Sequence, residues 1–517
     1  MYRIRNLALL MLIASVAIVS HAAFAQSTEG DTKKNEDWIP IGPEKSVVTE
    51  HTITLNGRAI KYTATAATMH LKDDKDKTTG SLYYTAYTRP DVAAANRPIA
   101  FIYNGGPGSA SMWLHMGAFG PKRIVVNPDG STPPPPYNLQ PNPGSLIDAT
   151  DMVFIDPIGT GFSKVVGEGK GKDYWGIDED AASLTQFISQ YITRNKRWNS
   201  PKFLIGESYG TTRSAVLVNR LQSRAGMDFN GVVLISSVLD FETLLFADGH
   251  DTSYITFLPT YAITAAYHGV IDWPQDLDAW LDEVRSFAIG DYAHVLMQGA
   301  AASEADIAAV RAKLSKYTGL SEEYLTRANL RVEAGQFRAE LQRMEGRVTS
   351  RLDARYEGLT NQLLRESAPY DPQSTAIGGA YTSAINQYLR DELNFETTDL
   401  YRTGGGTSGW NWQRGNGGWV AATNVAPDLA QAMIRNPNLK VQVENGYYDL
   451  ATPFFATEWT FDHMNLPAEL RKNIKQNYYE AGHMMYVREE DLMKLRENVV
   501  AFIEEASGKM AVTPAKG

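Results

Sequence analysis

The sequence predicts an α/β fold, a mostly parallel central sheet covered by helices on both faces and interrupted by an inserted helical cap. Three observations carry that prediction. Short apolar runs at 99–103, 152–155, 201–205 and 232–235 read as strands buried on both faces. Amphipathic helical segments alternate with them, as in a sheet built from crossover units. Between about residues 239 and 430 this rhythm gives way to helical patterns, and it resumes at 439–443. The expected organisation is a signal peptide over 1–25, the first part of the sheet domain over 26–238, a helical cap over 239–430, and the second part of the sheet domain over 431–517.

Taken in order, Arg3 and Arg5 precede an apolar run from Leu7 to Val19, and Ala23-Phe24-Ala25 offers a small-x-small cleavage site before Gln26. That is the pattern of a cleavable secretory signal; an uncleaved anchor is the alternative, although the run is short for a membrane span. Export to the periplasm or outside the cell follows, with no membrane attachment after cleavage. Residues 52–55 and 59–62 flank Asn56-Gly57, a two-strand hairpin signal, and 82–87 reads as a third strand. The strand at 99–103 runs into Asn104-Gly105-Gly106-Pro107-Gly108, and the one at 152–155 into Asp156-Pro157. A helix is expected over 178–195, with Leu184, Phe187, Ile188 and Tyr191 on one face. Ser303 and Ser321 are placed to cap helices inside the 239–430 stretch. The run 404–419, with Trp410, Trp412 and Trp419, reads either as the lining of a substrate cleft or as a loop pinned by buried aromatics. A helix at 454–463, a last strand at 476–479 and a terminal helix bearing Leu492, Leu495, Val499 and Phe502 complete the chain.

Composition excludes several classes of function. The 517 residues are 43% hydrophobic, enough for a sizeable core, and 49 basic against 59 acidic residues leave a net charge of -10. Without a basic tract there is nothing to neutralise phosphates, so nucleic acid is not an expected partner. The absence of cysteine removes disulfides, thiol nucleophiles and thiolate metal sites. No His-Glu-x-x-His occurs and the nine histidines are scattered, so neither metal nor cofactor is expected.

The remaining chemistry gathers around Gly206-Glu207-Ser208-Tyr209-Gly210, a G-x-S-x-G sequence between a predicted strand and a predicted helix. This is the setting of a nucleophile elbow, in which a strained turn lifts the serine clear of the sheet. Serine needs a base to take its proton and a carboxylate to hold that base. In α/β-hydrolases the order along the chain is Ser, acid, His, with the last two on loops after late strands. Ser208, Asp449 and His483 satisfy that order. Asp462 and His463 compete, but they fall inside a predicted helix. The glycine loop at 104–108, after an early core strand, is where an oxyanion hole is expected.

Together these motifs resemble the serine carboxypeptidase family. The matching residues are Asn104-Gly105-Gly106-Pro107-Gly108, Gly120-Pro121, Gly159-Thr160-Gly161-Phe162-Ser163, Gly206-Glu207-Ser208-Tyr209, Asn445-Gly446 with Asp449, and Gly482-His483-Met484. The resemblance implies Ser208 as nucleophile, His483 as base, Asp449 as orienting acid, and the N–H groups of Gly106 and Tyr209 as the oxyanion hole. It also implies that Asn104, Gly105 and Glu207 hold the free carboxylate of a peptide substrate, which requires a protonated partner because like charges do not both ionise at close range. Three positions depart from the family pattern. Ala118 stands where a second glutamate is usual, Ser109 replaces a cysteine, and Asp156-Pro157 is a shortened Asp-Gln-Pro. The expected activity is release of C-terminal residues from peptides through an acyl-enzyme. An esterase or acyltransferase, or a silent exported binding protein, are the alternatives. The oligomeric state is not legible.

Overall fold

The computed structural model of the protein describes residues 38–94, 97–405, 407–415 and 422–508. The expected signal peptide and Trp419 lie outside the described residues. The main sheet has ten strands. Nine of them are β1 (Ser46–Leu55), β2 (Arg58–Lys72), β3 (Thr78–Thr88), β4 (Ile99–Tyr103), β5 (Asp151–Ile155), β6 (Lys202–Glu207), β7 (Gly231–Ile235), β8 (Lys440–Gly446) and β9 (Ile474–Tyr479). Their order is β1-β2-β3-β5-β4-β6-β7-β8-β9, and a two-residue strand at Lys164–Val165 pairs with β3. β1 to β3 form an antiparallel entry, β3 meets β5 antiparallel, and every pairing from β5 to β9 is parallel. The β1–β2 turn uses Asn56 and Gly57, both with positive φ, 49° and 74°. That is what a two-residue hairpin turn matched to strand twist demands.

The helices are α1 (Ile177–Arg194), α2 (Tyr209–Ala225), α3 (Thr252–Tyr267), α4 (Leu277–Phe287), α5 (Glu304–Thr318), α6 (Pro372–Gln387), α7 (Ala426–Arg435), α8 (Phe454–His463) and α9 (Glu489–Ala506), with shorter turns between them. Alternation along β4, β6 and β7 explains why their runs are apolar throughout. Ile102, Ile205 and Val233 face a core closed by Leu492, Leu495, Val499 and Phe502 of α9. Their neighbours Phe101, Leu204 and Val232 face a second core with Leu184 and Phe187 of α1, Leu217 and Leu221 of α2, and Leu429 of α7. With both faces covered, an alternating polar position would bury an unpaired group.

The stretch 239–430 divides in its packing. α3, α4 and α5 build a third cluster around Phe257, Tyr261, Leu281, Leu314 and Phe337, joined by Tyr448, Leu450 and Phe454 from the late part of the chain. α6 instead sends Ile377, Tyr381 and Ile385 into the core under the sheet. The stretch is also not purely helical, because Arg347–Thr349 and Glu357–Leu359 pair as a small antiparallel hairpin. Their three-residue length left no period to read. Ser303 and Ser321 cap their helices as expected, accepting from Asp306 N and Tyr324 N at 3.1 Å each.

A buried ion pair ties the two helices beside the glycine loop. Arg213 of α2 donates to Asp180 of α1 at 2.6 Å and to the Asn104 carbonyl at 2.6 Å, and both side chains are at most 3% exposed. Removing one partner strands the other charge in a dry interior. Replacement of Arg213 by Met is expected to cost about 3–5 kcal/mol of unfolding free energy, measured by urea denaturation. A loss below about 1 kcal/mol would mean that water reaches Asp180.

Candidate active site

Ser208 sits between β6 and α2 with φ 59° and ψ -131°, a conformation that an L-residue holds only when its surroundings enforce it. The surroundings are visible. Its N–H donates to the carbonyl of Ile235, the last residue of β7, at 3.0 Å. Gly206 allows the turn to close: a Cβ there would stand 2.6 Å from the Gly210 carbonyl carbon and 2.7 Å from Ser214 Oγ.

The neighbouring segment approaches about as closely. A Cβ on Gly105 would lie 2.6 Å from Gly210 N and 2.8 Å from the Glu207 carbonyl oxygen, and would crowd Tyr209 N further. The glycine loop after β4 is thus packed, backbone to backbone, against the start of α2. Among the described residues neither Gly106 N–H nor Tyr209 N–H has a hydrogen-bond acceptor. Unpaired donors at a helix start beside a serine favour a developing negative charge.

Asp449 follows β8 and His483 follows β9. Nδ1 of His483 meets Oδ2 of Asp449 at 2.8 Å, which leaves Nε2 as the ring atom able to accept a proton. Asp449 is held by Ala451 N at 2.7 Å and Thr452 N at 2.9 Å on Oδ1, and by the Thr452 hydroxyl at 2.8 Å on Oδ2. The main chain of His483 is fixed as well: its carbonyl accepts from Ser236 Oγ at 2.7 Å, and its N–H donates to Leu352 O at 2.5 Å. Because Ser236 directly follows the residue that receives the Ser208 N–H, the serine and histidine loops share one anchor. Burial disfavours the imidazolium, but the facing Asp449 carboxylate, with Glu207 beyond it, outweighs that and holds His483 above its ordinary proton affinity.

Glu207 is buried beside the serine. Its Oε2 accepts from Asn104 Nδ2 at 2.8 Å and from the Tyr486 hydroxyl at 2.7 Å. The Asn104 amide is oriented by its other end, where Oδ1 accepts from Leu114 N at 3.0 Å. Burial pushes the Glu207 carboxyl up to about 7, although His483, Tyr486 and Asn104 all pull it back. Ala118 is fully buried in the helical turn Leu114–Phe119, next to Gly117, where a Cβ would meet the rings of Tyr381 and Tyr486. Ser109 accepts from Trp113 Nε1 at 3.2 Å. Asp156 reaches across to the glycine-loop segment, accepting from Ser111 N at 2.8 Å and from Tyr401 Oη at 3.1 Å.

The competing pair lies elsewhere: His463 stacks on Trp459 at 3.9 Å, one turn back along α8, and contacts that residue's carbonyl. Trp410 and Trp412 pack edge-on against Tyr209 at 5.2 and 6.0 Å, so the tryptophan run abuts the elbow. Sequence reading missed Thr452, Ser236, Arg213 and Tyr486. Thr452 had a signal, since an Asp followed three residues later by Thr suits a side-chain-capped turn. The others lie far along the chain from what they hold and left none. Among the described residues no cluster of three or more His, Asp or Glu is able to hold a metal ion, and no helix is long and apolar enough to cross a membrane.

A parallel sheet with a strained serine at the turn into α2 and a His–Asp pair after its last strands defines an α/β-hydrolase. Within that class the chain belongs to the serine carboxypeptidase family, whose model matches residues 67–506. It is similar to serine carboxypeptidase-like 51 of Arabidopsis thaliana, at 31% identity over 177 residues, 32% of this chain and 35% of the relative. It is also similar to the pheromone-processing carboxypeptidase KEX1 of Saccharomyces cerevisiae, at 34% over 123 residues, 23% of this chain and 16% of that protein. The matched stretches thus span about a third or less of those relatives. The crystal structure of the yeast Kex1 prohormone-processing carboxypeptidase superposes with a TM-score of 0.53 at 16% identity, covering 87% of this chain and 91% of the other, a likeness of fold.

If the close approach of Gly105 positions the elbow, Gly105→Ala lowers turnover of an activated ester about 100-fold while the far-ultraviolet circular dichroism is retained. Unaltered turnover would show that the loop yields without cost.

Proposed function

We propose that the protein is a serine-type carboxypeptidase that hydrolyses C-terminal residues from peptides through an acyl-enzyme. What supports the proposal is that the strained Ser208, the His483–Asp449 pair and the Asn104–Glu207 pair all lie at the C-terminal ends of parallel strands, with the Ser208 N–H and the His483 carbonyl held by the consecutive residues Ile235 and Ser236. Ser208 Oγ attacks the scissile carbonyl as Nε2 of His483 takes its proton. The N–H groups of Gly106 and Tyr209 receive the oxyanion. His483, charged at that moment and held by Asp449, returns the proton to the leaving amine. A water then repeats the sequence on the acyl-enzyme and restores Ser208. Removing one oxyanion donor costs roughly two to three orders of magnitude.

Asn104, Gly105 and Glu207 receive the substrate's free carboxylate. A carboxyl group hydrogen-bonds a carboxylate only while it keeps its own proton, and Glu207, raised to about 7 by burial, keeps it in mildly acidic solution. Productive catalysis therefore pairs a protonated Glu207 with a neutral His483. The N-terminal residues support an exported enzyme, through the charged, apolar and small-residue succession of a secretory signal.

The test compares an N-blocked dipeptide with its C-terminal amide from pH 5 to 8. The free acid is expected to be preferred, and the preference to decline as pH rises through about 7, where Glu207 loses its proton. Ser208→Ala is expected to lower kcat by about 10^6-fold and Asp449→Asn by about 10^4-fold. Equal rates on acid and amide would remove the carboxylate-binding role of Asn104, Gly105 and Glu207, whereas turnover of a simple ester with neither dipeptide cleaved would favour an esterase on the same scaffold, a reading to which Ala118 lends weight.

A further inference from the structure

The place of the family's second glutamate is filled by Ala118, yet Glu207 is not left with Asn104 alone. Tyr486, three residues after His483, donates its phenol to the same Oε2 that Asn104 occupies. The direction of both bonds is fixed. Asn104 presents its amide nitrogen because its oxygen is engaged by Leu114 N. Among the described residues Glu207 is the only side-chain acceptor of the Tyr486 hydroxyl. With two donors on Oε2, a neutral Glu207 carries its proton on Oε1, which has no hydrogen-bond partner among the described residues.

We propose that Tyr486 is a positioning residue for substrate recognition: by occupying Oε2 of Glu207 it presents the Oε1 proton to the carboxylate of the substrate, the work a second glutamate would otherwise perform. The inference rests on the carboxypeptidase reading. A carboxyl with both oxygens free distributes its proton between them and rotates about its last bond, and each alternative costs recognition. Here the donors hold one arrangement. The other ionisable groups facing Glu207 are few. His483 and Asp449 face it from the loops after β9 and β8, and Tyr381 faces it from α6. The buried guanidinium of Arg123 lies behind Tyr381 and is held by Glu489 at 3.0 Å. Tyr381 Oη is buried without a hydrogen-bond partner among the described residues and supplies no donor to Glu207.

Tyr486→Phe keeps the ring and removes the donor. For the free-acid dipeptide the expected result is a KM about tenfold higher at pH 5.5, the size of one lost hydrogen bond to an ionisable group. The descending limb of kcat/KM also moves to higher pH, because the lost bond favoured the ionised form. For an activated ester without a carboxylate, KM does not rise, and the only change is a shift of the ascending limb to lower pH, because a Glu207 that stays neutral raises His483 less. Equal losses on both substrates would overturn the proposal and assign Tyr486 to the histidine loop; no change on either would overturn it as well. Should the Phe variant fail to fold, 3,5-difluorotyrosine at position 486, a stronger donor of nearly the same shape, is expected to move the limb to lower pH, and an unmoved limb refutes the idea. A wild-type enzyme without preference for acid over amide removes the carboxypeptidase reading and this inference together, whereas a preference insensitive to Tyr486 removes only the latter.

Discussion

Gly105 and the first residues of α2 approach so closely that no side chain fits between them, and this contact governs the geometry of the site. It brings the loop after β4 against the turn after β6, two strands adjacent in the sheet. Two backbone N–H groups are thereby left beside the serine, and the Asn104 side chain reaches Glu207. The approach is maintained from behind. Arg213, buried between α1 and α2, donates to the Asn104 carbonyl and is neutralised by Asp180, so helix packing and loop position are one structure. A guanidinium suits that place because its planar fork serves two acceptors in different directions.

The same economy of anchors recurs on the other side of the serine. Ile235 takes the Ser208 N–H and Ser236 holds the His483 carbonyl, so the end of β7 sets both loops. Asp449 spends three of its hydrogen bonds on its own turn and one on the imidazole, which fixes the ring's tautomer. Rigid elements, rather than long loops, therefore carry the arrangement, as a site held to sub-ångström tolerance requires.

Electrostatically, the site is a set of buried groups that cannot all be charged. Glu207 and His483 each perturb the other, the carboxylate raising the imidazole and the imidazolium lowering the carboxyl. A protonated Glu207 therefore leaves His483 freer to act as a base. Under the proposed function, coupling of this kind would let one proton serve binding and another serve chemistry close to Ser208. Although the site has a single glutamate next to its asparagine, burial rather than a second carboxylate does most of the raising that takes the Glu207 carboxyl up to about 7.

The strands and the strand–turn–helix setting of Ser208 were legible in the sequence because each depends on local physics. An apolar run of five residues between turn signals has little choice but a buried strand, and glycines at 105 and 206 announce close approaches before any partner is known. Asn56-Gly57 announced its hairpin for the same reason, a φ sign that few residues tolerate. Tertiary structure alone decided what those residues meet. The Ile235–Ser236 anchor, the Arg213–Asp180 pair and the Tyr486 donor to Glu207 join positions 27, 33 and 279 residues apart, and no periodicity encodes such pairings. The division of 239–430 between a helical cluster of its own and α6 under the sheet was hidden likewise. Both parts read in the sequence simply as helical segments, and only the competition for apolar surface in the folded chain determines which core each one joins.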